Sequence, residues 1–396
     1  MKKLKDNVYW VGARDWEVKQ FHGNEYSTHR GTSYNAYLVM GEKNILIDTV
    51  ADNATPILLK RIKDHVALCD IDYVIINHAE PDHSGSLPAI MEHCTNAQII
   101  ATEKGVESIT ETFHQDWDIK TVKTGDELDI GGGEKLVFIE ARMLHWPDSM
   151  FTYMPGKNIL FSNDAFGQHM SSWDMFNDQV DKCELDQEAL KYYANILTPF
   201  SKLVTKKIEE LVAMNVPIDI IAPAHGIIWR ENPMQIVEKY LEWAKGEGED
   251  RVIIAYNTMY GSTKKMAEYI GFGLEDAGVD YRIYNASSTD LNDLLTQVFL
   301  AKGLIIGAST INNGPLVSLY PLLKEIKGLK YTNKVGASFG SYGWSGESPK
   351  VLQDLLEESK IEILQDSLKI KYVPNEEELQ QCIEFGKSFG EKMLNK

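Results

Sequence analysis

The chain has 396 residues, 43% hydrophobic and 25% charged, an ordinary globular composition with room for two or three domains of about 100–200 residues. A formal net charge of -18 argues against nucleic acid and anionic membrane surfaces as partners, since both need a basic face. Four scattered cysteines with no C-x-x-C pair argue against a disulfide framework and against a zinc or rubredoxin-type knuckle, and they fit a reducing cytoplasm.

The basic start, Met1-Lys2-Lys3-Leu4-Lys5, is followed by no apolar stretch, and no run of about 18 apolar residues occurs, so neither an export signal nor a membrane span is expected. Residues 34–40 and 44–49 flank Gly41-Glu42-Lys43 in the pattern of a β-hairpin, and residues 55–66 read as helix. A β-prone run at 72–77 then breaks into His78-Ala79-Glu80-Pro81-Asp82-His83, closed by Ser84-Gly85-Ser86. Two imidazoles and two carboxylates this close repel and dehydrate one another unless a cation sits among them. Asp82 and His83 are adjacent, and consecutive side chains on extended backbone point apart, so the loop has to bend to aim both inward.

A short strand at 97–101 precedes a helical stretch opened by Glu103. The strand 135–140 leads to His145-Trp146-Pro147-Asp148-Ser149, a histidine where a strand gives way to a proline-broken turn. A second hairpin, 151–154 and 158–162 about Pro155-Gly156-Lys157, runs out at Asn163-Asp164. After a helical segment over 187–214, the strand 218–222 ends at Pro223-Ala224-His225-Gly226. Ligand-type residues recur where apolar strands stop.

Character changes at 244–250, a glycine- and charge-rich linker. Apolar strands at 252–256, 281–284, 304–307, 335–339 and 361–364 alternate with amphipathic segments, which indicates a doubly wound parallel sheet with ligands outside the carboxyl ends of its strands. The loop Asn257-Thr258-Met259-Tyr260-Gly261-Ser262-Thr263 opens a helix and suits a phosphate; having no lysine, it suits a monophosphate better than a triphosphate. Two further loops, Ser309-Thr310-Ile311-Asn312-Asn313-Gly314 and Ser341-Tyr342-Gly343-Trp344-Ser345-Gly346, let backbone approach a ring closely, with Tyr342 or Trp344 to cover its face.

The succession H-x-E-x-D-H, then His145, Asp164 and His225, resembles the metallo-β-lactamase fold, and Glu80 in place of that fold's usual second histidine resembles the flavodiiron proteins. The later loops resemble flavodoxin. The resemblance implies a mixed α/β and α+β chain: a metallo-β-lactamase-like αββα sandwich over 1–249, then a flavodoxin-like doubly wound parallel sheet over 250–396, with no rubredoxin module. It implies two non-haem irons, one held by His78, Glu80 and His145, the other by Asp82, His83 and His225, with Asp164 bridging. It also implies FMN held by the three loops. His22, His29, His169 and Tyr193 are candidates for supporting roles, each as easily structural.

The expected activity is reduction of O2 to water or NO to N2O, with electrons from an external rubredoxin, flavoprotein or deazaflavin. A cytoplasmic head-to-tail homodimer or dimer of dimers is the expected assembly. A zinc hydrolase of the same fold is the rival reading, but it leaves the second half idle and does not account for Glu80. A pure electron carrier with a vestigial metal site is the other, at odds with a ligand-competent residue at every position.

Overall fold

The computed structural model describes residues 2–331 and 333–396. They form two compact units: the chain through Tyr193 with Phe200–Ala244, and Ala194–Pro199 with Lys245–Lys396. Of the basic start, Met1 lies outside the described residues, and Lys2–Lys5 is a strand paired with Val8–Trp10. Among the described residues no helix is long and apolar enough to cross a membrane.

The first unit is built on two sheets. In the first hairpin Tyr37–Val39 and Ile45–Ile47 pair antiparallel with Tyr37 opposite Ile47; Ile47 then lies beside Ile75 of Tyr73–Ile75, and Ile75 beside Ile100 of Gln98–Thr102. That register puts these four side chains on one face of a seven-stranded sheet, where all are buried. The second sheet runs Glu127–Gly131, Glu134–Glu140, Met150–Met154, Ile159–Asn163, Ile220–Pro223. Its Phe138, Phe161 and Ala222 share one core cluster with Trp10, Tyr37, Ile47 and Ile75 of the first, so the two inner faces interdigitate. Helices carry apolar stripes at helical spacing, such as Val204, Ile208 and Leu211 on Ser201–Ala213.

The helix expected over 187–214 is broken. Lys182–Tyr192 passes into a π turn at Tyr193–Leu197 and a 3-10 turn at Thr198–Phe200 before Ser201–Ala213 restarts. Pro199 is the physical reason: it supplies no backbone N–H and disfavours α geometry at the residue before it.

In the second unit the parallel strands lie in the order Asp280–Asn285, Glu249–Asn257, Ala301–Ala308, Val335–Tyr342, with Glu362–Ile363 and Leu368–Lys371 both on the outer flank of the last. The order 2-1-3-4-5 is the flavodoxin-like form of doubly wound sheet, and its fifth strand is split in two where one run at 361–364 was expected. The helices Ser262–Asp276 and Glu376–Leu394 meet at reciprocal glycines: a Cβ on Gly273 would lie 1.9 Å from the Ile383 carbonyl, and one on Gly386 2.0 Å from the Ile270 carbonyl. Only glycine permits backbones that close.

Candidate metal centre

The donors converge from the ends of both sheets of the first unit. Beyond Tyr73–Ile75, Asn77 is pinned: its backbone N and Nδ2 donate to Asp48 Oδ1 and Oδ2 at 2.7 and 3.0 Å, and its Oδ1 accepts from Thr152 Oγ1 at 2.7 Å. His78 follows, fully buried. Pro81–Ser84 is a single helical turn after Glu80. Successive side chains on a helix diverge by about 100° rather than pointing to opposite sides, so Asp82 and His83 reach one centre. His145 lies in the loop after Glu134–Glu140, Asp164 directly follows Ile159–Asn163, and His225 stands just beyond Ile220–Pro223.

Two groups of donors result. One atom each from His78, Glu80, His145 and Asp164 lie within 4.8 Å of one another, as do one each from Asp82, His83 and His225. Asp164 faces both: Oδ2 is 3.7 Å from His78 Nε2 and 3.3 Å from His145 Nε2, while Oδ1 is 3.1 Å from His83 Nε2 and 3.7 Å from His225 Nε2. Glu80 is similarly divided, with Oε2 at 3.2 Å from His78 Nε2 and 3.5 Å from His145 Nε2, and Oε1 at 3.3 Å from His22 Nε2. Asp82 Oδ2 lies 3.0 Å from His225 Nε2.

Both oxygens of Asp164, Asp82 Oδ1 and His83 Nε2 are buried and make no hydrogen bond despite these short separations. They aim at common centres instead of at each other, which is costly unless a cation lies between them. Imidazole and carboxylate donors without a thiolate suit iron better than a structural zinc. The residues present therefore fit a pair of metal ions.

The donors polarise one another strongly. Burial alone would lower His78, His145 and His83; instead Asp148 and Glu80 raise His78 to about 10, Asp164 and Glu80 raise His145 to about 10, and Asp82 and Asp164 raise His83 to about 9. Burial alone would raise the carboxyls, yet His145, His22 and His78 hold Glu80 far below the usual range, and His83 does the same, with His225 for Asp82 and with His145 for Asp164. A cation competes with these protons for the same atoms.

Neighbours fix which nitrogen of each histidine faces inward. His78 Nδ1 lies 3.1 Å from both oxygens of buried Asp148, whose Oδ2 also accepts from Ala79 N at 2.7 Å, so Nδ1 carries the proton and Nε2 turns to the donors. His225 Nδ1–H donates to the Ser33 carbonyl at 2.8 Å. Next to it Gly226, at φ +74°, donates to Ser33 Oγ at 2.8 Å, and a Cβ there would lie 1.5 Å from Gln168 Oε1 and 2.2 Å from the Gln168 carbonyl.

Of the other candidates, His22 touches Glu80 and His169 stacks on Phe21 at 4.4 Å and on His225 at 4.8 Å. His169 Nδ1 pairs with Thr32 Oγ1 at 2.8 Å, and burial and then His225 keep the ring neutral, well below the usual histidine range. His29 is exposed and belongs to neither group. Tyr193 turns instead to Ser201, Tyr240 and Trp243; its neighbour Tyr192 is the one against His169, at 5.3 Å. Asp148 and Trp146, whose ring lies 4.9 Å from that of His78, were not singled out from the sequence. A carboxylate three residues after a candidate ligand histidine was the available signal.

In the second unit three loops gather at the carboxyl edge of the sheet. Thr258 Oγ1 accepts from Gly261 N at 3.0 Å, ahead of Ser262–Asp276. Thr263, Ser309 and Ser341, one from each loop, form a buried ring of hydroxyls at 2.9–3.2 Å. These three tie the loops together beneath the surface that a ligand would meet. Asn312 and Asn313, at φ 48° and 60°, make the tight turn between Thr310–Ile311 and Gly314–Pro315. A cavity of about 300 Å³ is lined by Thr310, Ile311, Asn312, Asn313, Gly343, Trp344 and Ser345. Tyr342 is wedged at Gly346, whereas Trp344, at the cavity, is 87% exposed and Tyr260 95%. Met259 is also exposed.

Two family models match separate parts of the chain. Residues 32–226 match the ODP family beta lactamase model and residues 254–386 the flavodoxin model. The anaerobic nitric oxide reductase flavorubredoxin of Vibrio vulnificus is 48% identical over 386 residues, covering 97% of this chain and 78% of that one. Its namesake in Escherichia coli O1:K1 / APEC is 47% identical over 387 residues, 97% and 81%. The solved rubredoxin oxygen:oxidoreductase of Desulfovibrio gigas superposes with a TM-score of 0.96 at 36% identity, over 100% of this chain and 98% of that one. The flavodiiron protein of Giardia intestinalis gives 0.93 at 32%, over 100% and 97%.

Proposed function

The chain belongs to the flavodiiron proteins, and on that premise we propose that His78, Glu80 and His145 hold one iron, that Asp82, His83 and His225 hold the other, and that Asp164 bridges them. It is an oxidoreductase acting on O2 or NO, with FMN and a non-haem diiron centre as its cofactors. The observation that carries the ligand assignment is Asp164, whose two buried oxygens each face a separate group of donors and bond to neither. When bound, two ferrous irons and reduced FMN supply four electrons, enough to take O2 to water, while coupling two NO to N2O takes two.

The chain's own residues prepare that site. Asp148 and the Ser33 carbonyl set the tautomers of His78 and His225, and His22 holds Glu80 Oε1 so that Oε2 stays turned inward. Phe21, His169 and Tyr192 line one side with rings that exclude water. In the flavin cradle Thr258–Ser262, at the positive end of Ser262–Asp276, would hold the phosphate, and the residues around the cavity beside Trp344 would hold the ring system. The metal-binding domain is taken as 1–249 and the flavin domain as 250–396. The working form is a cytoplasmic head-to-tail homodimer, alone or as a dimer of dimers, fed by a rubredoxin, a second flavoprotein or a deazaflavin. Mixed dimers of a metal-dead and a flavin-dead chain should keep part of the activity; none at all would refute transfer across chains.

The direct test is anaerobic stopped-flow mixing of the reduced protein, assayed for iron, zinc and flavin, with O2 and separately with NO. Rapid oxidation by one gas names the substrate. A protein replete in iron and flavin that neither gas oxidises would overturn the reading and return the hydrolase and carrier alternatives.

A further inference from the structure

We infer that Asp148 makes the two metal positions unequal and sets the order in which they fill: the His78, Glu80 and His145 position loads first and holds its ion more tightly than the Asp82, His83 and His225 position. The inference rests on reading the two donor groups as a diiron site.

The positions differ in what stands behind their imidazoles. Behind His78 is a full carboxylate: both Asp148 oxygens lie 3.1 Å from Nδ1, with Asp148 only 1% exposed. Behind His225 is a neutral carbonyl, that of Ser33, at 2.8 Å. A carboxylate on the far nitrogen pushes electron density toward Nε2 and strengthens its bond to a cation more than a carbonyl does. The ligands themselves are otherwise balanced, each position having one carboxylate of its own and a share of Asp164. The buried carboxylate that bonds a donor imidazole from behind therefore falls on one side.

Two neighbouring groups could blur this difference, and the geometry limits both. Asp48 is also buried, but its oxygens bond Asn77 and neither bonds an imidazole. Of Glu80, His22 meets Oε1, leaving Oε2 to His78 and His145. Asp148 is held in place independently of any ion, by Ala79 N on its carboxylate and Thr102 Oγ1 on its carbonyl. The loop that carries it also carries His145, closed by Ala141 N to the Ser149 carbonyl and Met143 N to the Trp146 carbonyl. One short loop thus supplies a ligand to this position and the charge behind another. Asp148 is a positioning residue, acting through His78.

The test uses the full chain with its flavin retained and its metal stripped, titrated anaerobically with Co(II) and followed by visible absorption and paramagnetic NMR. The wild type should bind two equivalents in resolved steps. Asp148→Asn should weaken the first about 10–100-fold and leave the second within threefold. The exchangeable Nδ1–H signal of one histidine, His78, should move in the variant while that of His225 stays. Unchanged flavin content and far-UV circular dichroism show that the variant is folded; a variant that fails this check is replaced by diffraction from wild-type crystals holding one equivalent, which locates the first ion. Equal weakening of both steps, an unchanged first step, or a first ion at Asp82, His83 and His225 would overturn the inference. A wild type that binds no Co(II) is a different result, and refutes the diiron reading itself.

Discussion

Replacing Gly226 by alanine probes how tightly the His225 loop is specified. The residue sits at φ +74°, where an L side chain costs about 1–2 kcal/mol. The new Cβ also meets Gln168 twice, at 1.5 Å from Oε1 and 2.2 Å from the backbone carbonyl. The amide can rotate away, but only by giving up Ile227 N, which donates to Oε1 at 2.5 Å, and the Ile227 carbonyl, which accepts from Nε2 at 3.2 Å. Each such bond is worth about 1 kcal/mol. The backbone contact has no such escape and adds about 1–3 kcal/mol of overpacking. Together these give about 4–7 kcal/mol, and at about 2–4 °C per kcal/mol for a unit of this size the first-unit melting transition should fall by at least about 8 °C. Calorimetry with iron analysis reads both consequences, because a displaced His225 should also lose the iron it serves. Adding Gln168→Ala removes the Oε1 clash and should restore part of the loss. A Gly226→Ala protein that melts within about 2 °C of wild type with two irons per chain would falsify this account of the loop.

Other outcomes follow from the same geometry. Glu80→Ala should abolish iron retention and gas reduction while leaving flavin content intact; full activity in that variant would sink the ligand assignment. Thr263→Val removes one member of the buried hydroxyl ring but leaves Ser309 and Ser341 paired at 3.2 Å, so fluorescence titration should show FMN binding weakened about 5–30-fold, the equivalent of about 1–2 kcal/mol. Trp344→Ala should weaken FMN similarly yet change stability by less than about 0.5 kcal/mol, given its exposure. Lys334 is buried, donates to the Phe299 and Ala301 carbonyls at 2.9 and 2.5 Å, and is lowered by burial to about 7. Its folded value thus lies below its unfolded one, so between about pH 7 and pH 10 the unfolded chain binds more protons and stability of the second unit must rise with pH. Denaturant midpoints across that window should climb in the wild type and stay flat in Lys334→Met.

The metal site was legible because its chemistry forces donor residues into short strings at the ends of apolar strands, as at His78 to His83. The parallel sheet was legible for a related reason: strands buried on both faces, such as Ile253 to Tyr256, read as unbroken apolar runs. What escaped were features that depend on contacts between distant segments. Asp148 stood in view, but only the fold carries it to His78, 70 residues away in sequence. The break at Tyr193–Leu197 is a local exception: Pro199 stood in the sequence to signal it, but the flanking segments are both good helix formers. The short strands Ala13–Asp15, Gln20–Phe21 and Tyr26–Ser27 have too few residues for any period to show.

Each proposed iron draws donors from both layers of the first unit. His78, Glu80, Asp82 and His83 hang from the seven-stranded sheet, and His145, Asp164 and His225 from the five-stranded one. An ion at either position is therefore a staple, joining chain segments that are remote in sequence much as a disulfide would in a chain whose four cysteines are all free. Scarcity of iron would then be felt as a mechanical weakness as well as lost turnover. The sandwich would come unstitched along that edge while the flavin unit stayed whole, and protease sensitivity of the first unit alone would be its mark.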